Sequence, residues 1–333
     1  MYYKGQGTLK DLSKSFYWMQ KSAEQGFALA QYMFSDYYYY GIETSKDLQK
    51  AFYWEKKSAE QGDAKAQYNL GYMYENGEGV SSDLHQAFYW FKKSAEQGFA
   101  TAQNNLGFMY LTGKDVLTDT SQAFYWFKKS AEQGYADAQY TLSRMYYKGQ
   151  GTLKDLSKSF YWMQKSAEQG KEMAQYNLAL TYYYGEGTLT DKKQAFYWYK
   201  KSAEQGHTEA QYNLALMYEH GEGTLKDLDS AFYWFKKSAE QGDAKAQFNL
   251  GGMYSESEGT SKDLSKSFYW MQKSARQGYA KAQYLLTLMY YYGQGTSTNK
   301  KEAAYWMRKA YDNGFQEAKD MWDKLELWKY ESN

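Results

Sequence analysis

Five asparagines, Asn69, Asn105, Asn177, Asn213 and Asn249, share one register in this chain, and every interval between them is a multiple of 36 residues. A carboxamide carries both N–H donors and a carbonyl acceptor, the two groups that an extended peptide backbone pairs with. A row of them can bind a strand of peptide; it can equally bond a neighbouring helix end or loop carbonyl and stabilise the fold, and the sequence leaves both readings open. Tyr40, Tyr184 and Tyr292 occupy a second recurring register from which a ring can stack on a ligand, a sugar included. Gly-x-Gly loops at 5/7, 77/79, 149/151, 185/187, 221/223 and 293/295 have the look of phosphate cradles. No Gly-Lys-Ser/Thr comes after them, and an aspartate or asparagine stands at each downstream helix start, so they are expected to be turns. His85, His207 and His220 sit at unrelated positions and are expected at the surface. No second histidine is spaced for a metal, and no nucleophile has an adjacent base. A catalytic site, a cofactor and a metal are therefore not expected.

What positions these residues is a repeat. A glycine returns at Gly26, Gly62, Gly98, Gly134, Gly170, Gly206, Gly242, Gly278 and Gly314, always 36 residues apart, and the tryptophans from Trp18 to Trp306 keep the same interval. Such a period is the mark of a solenoid. In the unit 63–98, Ala66, Leu70, Met73 and Tyr74 fall at i, i+4, i+7 and i+8, which predicts an amphipathic helix A. Gly77 and Gly79 end it, Asp83 caps the next helix, and this helix B runs from about Leu84 to Gln97 with Gly98 as its stop. The cap recurs at Asp11, Asp47, Asp119, Asp155, Asp191, Asp227 and Asp263, with Asn299 as its equivalent. Most tyrosines and tryptophans hold fixed registers and are expected to pack in the core.

Counted from the preceding glycine, helix A positions 4, 8, 11 and 12 hardly vary, whereas 3, 10 and 14 vary widely. Positions 3, 7, 10 and 14 share a face about 60° wide. That face is the candidate partner-binding surface, with Asn69, Tyr72, Asn105, Phe108, Arg144, Lys148, Asn177, Tyr184, Asn213, His220 and Asn249 as its candidate residues. Variable residues there are free to set specificity because the fold does not dictate them.

A net charge of +1, from 40 basic and 39 acidic residues, gives no field to recruit nucleic acid or an anionic membrane. No run approaches the roughly 20 apolar residues of a membrane helix. The absence of cysteine removes disulfides and thiolate chemistry and leaves the compartment open. The expected partner is a protein or peptide, with a glycan as the alternative.

The unbroken period predicts one solenoid over 1–333: a half repeat at 1–26 holding helix B only, eight complete repeats over 27–314, and a capping helix over 315–333. In the last, Ala318, Trp322 and Leu325 take core positions while Lys319 and Glu326 are expected to face solvent. Residues 1–26 are identical to 145–170, so the sequence opens inside a repeat. Truncation or a late start is expected, with an export signal possible upstream, and Phe16, Tyr17 and Trp18 are expected to be exposed.

Ala-x-Ala-Gln-Tyr-x-Leu-Gly-x-Met-Tyr, Gly-x-Gly-Thr/Val, Asp, Ala-x-x-Trp and Lys-Ser-Ala-Glu-Gln-Gly, repeated at this period over essentially the whole chain, resemble the Sel1-like repeat, a relative of the tetratricopeptide repeat. Glu43 and Asp115 replace the second loop glycine, Ser257 the first, and Arg276 the usual glutamate. The resemblance implies an all-α, right-handed α/α superhelical solenoid with helix A on the concave side. It implies a non-enzymatic scaffold or adaptor for protein–protein interaction, in bacteria often exported and tied to the envelope or host, in eukaryotes linked to protein quality control and chitin synthesis. Periplasmic or secreted placement is the compartment it favours. The β-lactamase attribution of some family members belongs to cysteine-rich chains, which this one is not.

Overall fold

The computed structural model describes residues 11–330 of the chain, in two units, Met1–Gln169 and Gly170–Asn333. The first holds α1 (Leu12–Glu24), α2 (Ala28–Tyr40), α3 (Leu48–Glu60), α4 (Ala64–Asn76), α5 (Leu84–Glu96), α6 (Ala100–Thr112), α7 (Thr120–Glu132), α8 (Ala136–Lys148) and α9 (Leu156–Glu168). The second holds α10 (Glu172–Tyr184), α11 (Lys192–Glu204), α12 (Thr208–His220), α13 (Leu228–Glu240), α14 (Ala244–Glu256), α15 (Leu264–Arg276), α16 (Ala280–Tyr292), α17 (Lys300–Asp312) and α18 (Glu317–Lys324), then a 3-10 turn over Leu327–Tyr330. No strand occurs among the described residues. Within each unit every helix packs on the next in sequence, an all-α solenoid in which even-numbered helices are helix A and odd-numbered ones helix B.

Each helix B starts where its cap predicts. The Asp83 carboxylate accepts from the backbone N–H of Gln86 at 3.0 Å, and Asn299 does the same for Glu302 at 3.1 Å. Small and large residues then alternate into the core: Ala66, Leu70, Ala87, Phe91 and Ala95 are all buried. Ser94 donates to the Ala64 carbonyl at 2.6 Å, closing the hairpin of α4 and α5. A buried glutamine joins successive hairpins. Gln97 Nε2 donates to Gln67 Oε1 at 2.7 Å, and Gln67 Nε2 donates to the Ala59 carbonyl at 3.1 Å. One amide pair thus satisfies a carbonyl at the end of α3 and ties three helices together. The same relay runs through Gln133, Gln103 and Ala95, and in the second unit through Gln241, Gln211 and Ala203.

The loops keep their left-handed geometry even where glycine is missing. Glu43, Asp115 and Ser257 have φ of 56°, 64° and 65°. Each gains a bond in exchange: Asp115 Oδ2 lies 3.2 Å from His85 Nδ1, Glu43 Oε2 accepts from Ser13 Oγ at 2.5 Å, and Ser257 Oγ donates to the Thr260 carbonyl at 3.1 Å. Gly151, with φ of +67°, has no such exchange to offer, and a Cβ there would collide with the Thr120 carbonyl. Gly151→Ala is therefore expected to cost about 2 kcal/mol, part left-handed backbone penalty and part displacement of α7. Urea denaturation beside the parent chain reads it.

The ends are built as expected in part. Ala318 and Leu325 are buried and Trp322 half-buried, while Lys319 and Glu326 are exposed. Phe16 departs from expectation: it packs on Phe34 and Tyr37 with ring centroids 5.2 and 5.5 Å apart, because α2 covers that side of α1. Tyr17 and Trp18 are exposed.

Candidate functional site

Helix A position 14 carries exposed side chains throughout, and position 10 does so at Tyr72, Phe108 and Arg144, whereas Leu216 at position 10 packs on the core and Phe108 also sets its ring 4.9 Å from that of Phe127. Tyr72, Phe108 and Tyr184 are exposed, and so are Arg144, Lys148 and His220. Arg144 lies 5.8 Å from the Tyr140 ring centroid, and His220 Nε2 lies 3.5 Å from Glu219 Oε2. Burial raises the Glu219 carboxyl, with His220 working against it.

The asparagines lie deeper, all of them half-buried. Asn105 stands beside the Tyr68 side chain, Asn249 beside that of Tyr212, and Asn213 beside those of Tyr176 and Tyr199. In each case burial pushes the phenol up and the amide works against it, for Tyr212 to a value of about 12. Asn177 Nδ2 donates to its own helix at the Met173 carbonyl, 2.7 Å away. Much of the asparagine row is thus engaged within the fold, and the variable residues are the freely accessible part of the face.

One cavity opens on this face in the first unit. It has a volume of about 280 Å3 and lies among α2, α3 and α4, with Ser35, Asp36, Tyr39, Tyr40, Glu55, Tyr68, Asn69 and Tyr72 in its wall. Glu55 is 2% exposed. Its Oε2 accepts from Ser35 Oγ in a very short bond, the Asn69 amide stands near enough to favour its charged form, and Oε1 is buried without a partner. Burial pushes the carboxyl up from 4.5 to about 8, against the Ser35 bond and the Asn69 amide that lower it. Asp36 is raised by burial too. Tyr39 donates to Glu78 Oε2 at 2.8 Å, and that bond holds its phenol up at about 12. The signal for Glu55 is visible in the repeat. Its register elsewhere holds Met19, Phe91, Phe127, Met163, Tyr199, Phe235, Met271 and Met307, so it is one carboxylate in a column of bulky apolar side chains.

Other sequence candidates resolve differently. His207 is buried, contrary to the surface placement expected for it. It stacks on Tyr176 with centroids 4.4 Å apart, in the register where Phe99 packs on Tyr68 and Tyr279 on Phe248, and its Nδ1 caps α12 at the Ala210 N–H. His85 is exposed. The middle residue of Phe-Tyr-Trp also departs from the core packing expected of most aromatics. Tyr89 is 46% exposed because Phe88 and Trp90 turn inward on either side of it, and Lys93 Nζ stands 5.7 Å from its ring centroid. In the loop at 77/79, the Gly77 and Glu78 N–H groups both donate to the Met73 carbonyl, as a turn requires. The loop at 5/7 lies outside the described residues. Among the described residues no cluster of His, Cys, Asp and Glu could hold a metal ion, and no helix is long and apolar enough to cross a membrane.

The Sel1 repeat pattern matches nine consecutive stretches: 1–27, 28–63, 64–99, 100–135, 136–171, 172–207, 208–243, 244–279 and 280–315. A protective antigen of uropathogenic Escherichia coli with an SLR fold is similar at 32% identity, with 99% of this chain and 87% of that one covered and a TM-score of 0.60. A Sel1 repeat protein from Oxalobacter formigenes is similar at 32% identity, with 94% and 91% covered and a TM-score of 0.66. No curated protein matches the chain.

Proposed function

The chain belongs to the Sel1 repeat family, whose solenoids generally serve as scaffolds for protein interaction, and from that premise we propose that its helix A face binds an extended peptide segment of a partner protein without catalysing a reaction on it. The observation that carries this reading is the division of labour along helix A. The core positions of helix A are buried and hardly vary, while Tyr72, Phe108, Arg144, Lys148, Tyr184 and His220 are exposed and differ from repeat to repeat. A surface that the fold leaves free, lined by aromatic and cationic side chains, has the composition of interface hot spots. The half-buried asparagines Asn69, Asn105, Asn177, Asn213 and Asn249 hold the floor and keep amide groups within reach of a peptide backbone.

The test replaces Phe108, Arg144, Lys148, Tyr184 and His220 together by alanine and screens both proteins against a displayed library of unstructured peptides. The parent is expected to select a consensus, and the variant to bind it at least about tenfold more weakly, a loss of about 1.4 kcal/mol, with unchanged helical circular dichroism. Undiminished binding by the variant would remove the helix A face from consideration. Glycan stacking on Tyr40, Tyr184 and Tyr292 is the competing proposal, supported by the exposure of all three. It predicts selection from a glycan array that is lost when only those tyrosines are replaced.

A further inference from the structure

The cavity among α2, α3 and α4 is chemically one-sided. Its described lining holds two carboxylates and no cationic side chain. Glu55 Oε1 has no hydrogen-bond partner although the residue is 2% exposed. Ser35 has a single hydroxyl proton and two acceptors in reach, the Tyr32 carbonyl at 2.7 Å and Glu55 Oε2. When that proton goes to the carbonyl, Glu55 must bring its own, so this arrangement suits a neutral carboxylic acid. Tyr40 and Tyr72, both exposed, line the cavity where it meets the helix A face.

We propose that this cavity receives a primary ammonium group, the side chain of a lysine in the bound peptide segment, with Glu55 as its buried counter-ion. The assignment rests on the peptide-binding reading above. A cavity of about 280 Å3 falls just below the roughly 300–1,000 Å3 of small-molecule sites and suits one side chain. An ammonium brings three donors, which Glu55 Oε1, the Asn69 carbonyl oxygen and Asp36 can share. The Tyr40 and Tyr72 rings offer their faces to the cation or its methylene stem. On binding, an N–H of the ammonium takes Oε1, the Glu55 proton leaves to solvent, and the ammonium keeps its own protons, so a buried pair of opposite charges replaces a neutral acid. The charged and titratable groups facing Glu55 or lining the cavity with it are Tyr32, Asp36, Tyr39 and Tyr40 from α2, Tyr68 and Tyr72 from α4 and, at the start of α4, Asp63; none is a cation. Affinity therefore rises from pH 6 to pH 8.5, as the proton to be displaced becomes easier to remove.

The experiment is calorimetric titration of the full chain with n-butylammonium, with n-butanol as the neutral control and n-propylguanidinium as the arginine-like one. Saturable ammonium binding is expected. It should be at least tenfold weaker at pH 6 than at pH 8.5, at least tenfold weaker in Glu55→Gln, and weakened several-fold in Tyr72→Ala. No saturable binding by the parent, equal binding by Glu55→Gln, or equal binding of n-butanol would overturn the site. Tighter binding of n-propylguanidinium would overturn the choice of lysine. The alanine variant at Phe108, Arg144, Lys148, Tyr184 and His220 leaves the cavity intact and should bind the amine normally. Amine binding by a chain that selects no peptide would overturn the peptide as its source while keeping the ammonium site.

Discussion

Glu55→Met is expected to stabilise the first unit by roughly 1 kcal/mol at pH 5 and by about 3 kcal/mol more than that at pH 8. Room for the methionine is shown by the repeat itself: Met163 occupies the same register opposite Ser143, with the serine Oγ 3.7 Å from its sulfur, as Ser35 lies opposite Glu55. The pH dependence comes from the raised carboxyl. The folded chain holds the Glu55 proton up to about pH 8, whereas the unfolded chain gives it up near 4.5. Folding thus binds a proton in that window. The stability it contributes is fully present below pH 4.5 and is lost as pH rises toward 8. Methionine removes the titration and an unsatisfied buried oxygen together. Urea denaturation at both pH values, with hydrogen exchange reporting on α2 to α4, measures the effect. A parent whose stability in that region ignores pH would show that Glu55 is not held neutral.

The second large effect is expected at Phe127, which is fully buried among Ala123, Ala131, Ala138, Leu142 and Met145. Phe127→Ala removes the ring and leaves a cavity that flanking helices can only partly close, at a cost of about 3–5 kcal/mol. The residue opposite explains why the ring fits. Gly107 lies against it, and a Cβ there would stand 3.1 Å from ring atoms. Gly107→Leu alone is expected to cost about 1–3 kcal/mol by overpacking. Combined with Phe127→Ala it should return part of the loss, because the new side chain enters the space the ring vacated. The four proteins form a double-mutant cycle, read by urea denaturation. Simple additivity would show that the two positions do not share one volume.

The helices were legible because their signals are local. Asp83 caps α5 through a bond to a residue three positions on, and Gly77 ends α4 by adopting a backbone conformation that its own residue type permits. Glu43, Asp115 and Ser257 cast doubt on their loops in the sequence, yet each backbone stays left-handed, since the hairpin on either side fixes it. The candidate face was half legible. Spacing alone places Tyr72, Phe108 and Tyr184 outside, but what the asparagines touch varies, from the Met173 carbonyl of its own helix for Asn177 to Tyr68 of the preceding helix A for Asn105. His207 illustrates the limit: a histidine with no partner in sequence becomes a core residue because Tyr176 of the preceding repeat lies beneath it. Glu55 was visible only as an exception within a column, and its significance needs Ser35, Asp36 and Asn69 brought in from two other helices.

The glutamine relay makes the joints between successive hairpins chemically alike, whether formed by Gln97, Gln67 and Ala59 or by Gln241, Gln211 and Ala203. A joint that does not distinguish its two sides lets a 36-residue block be duplicated, deleted or exchanged without redesigning what flanks it. Reach and valence then become quantities set by copy number, tuned by recombination more readily than by point substitution. The Ser35, Glu55 and Asn69 constellation is a cassette of this kind, portable to another place along the array with its chemistry intact.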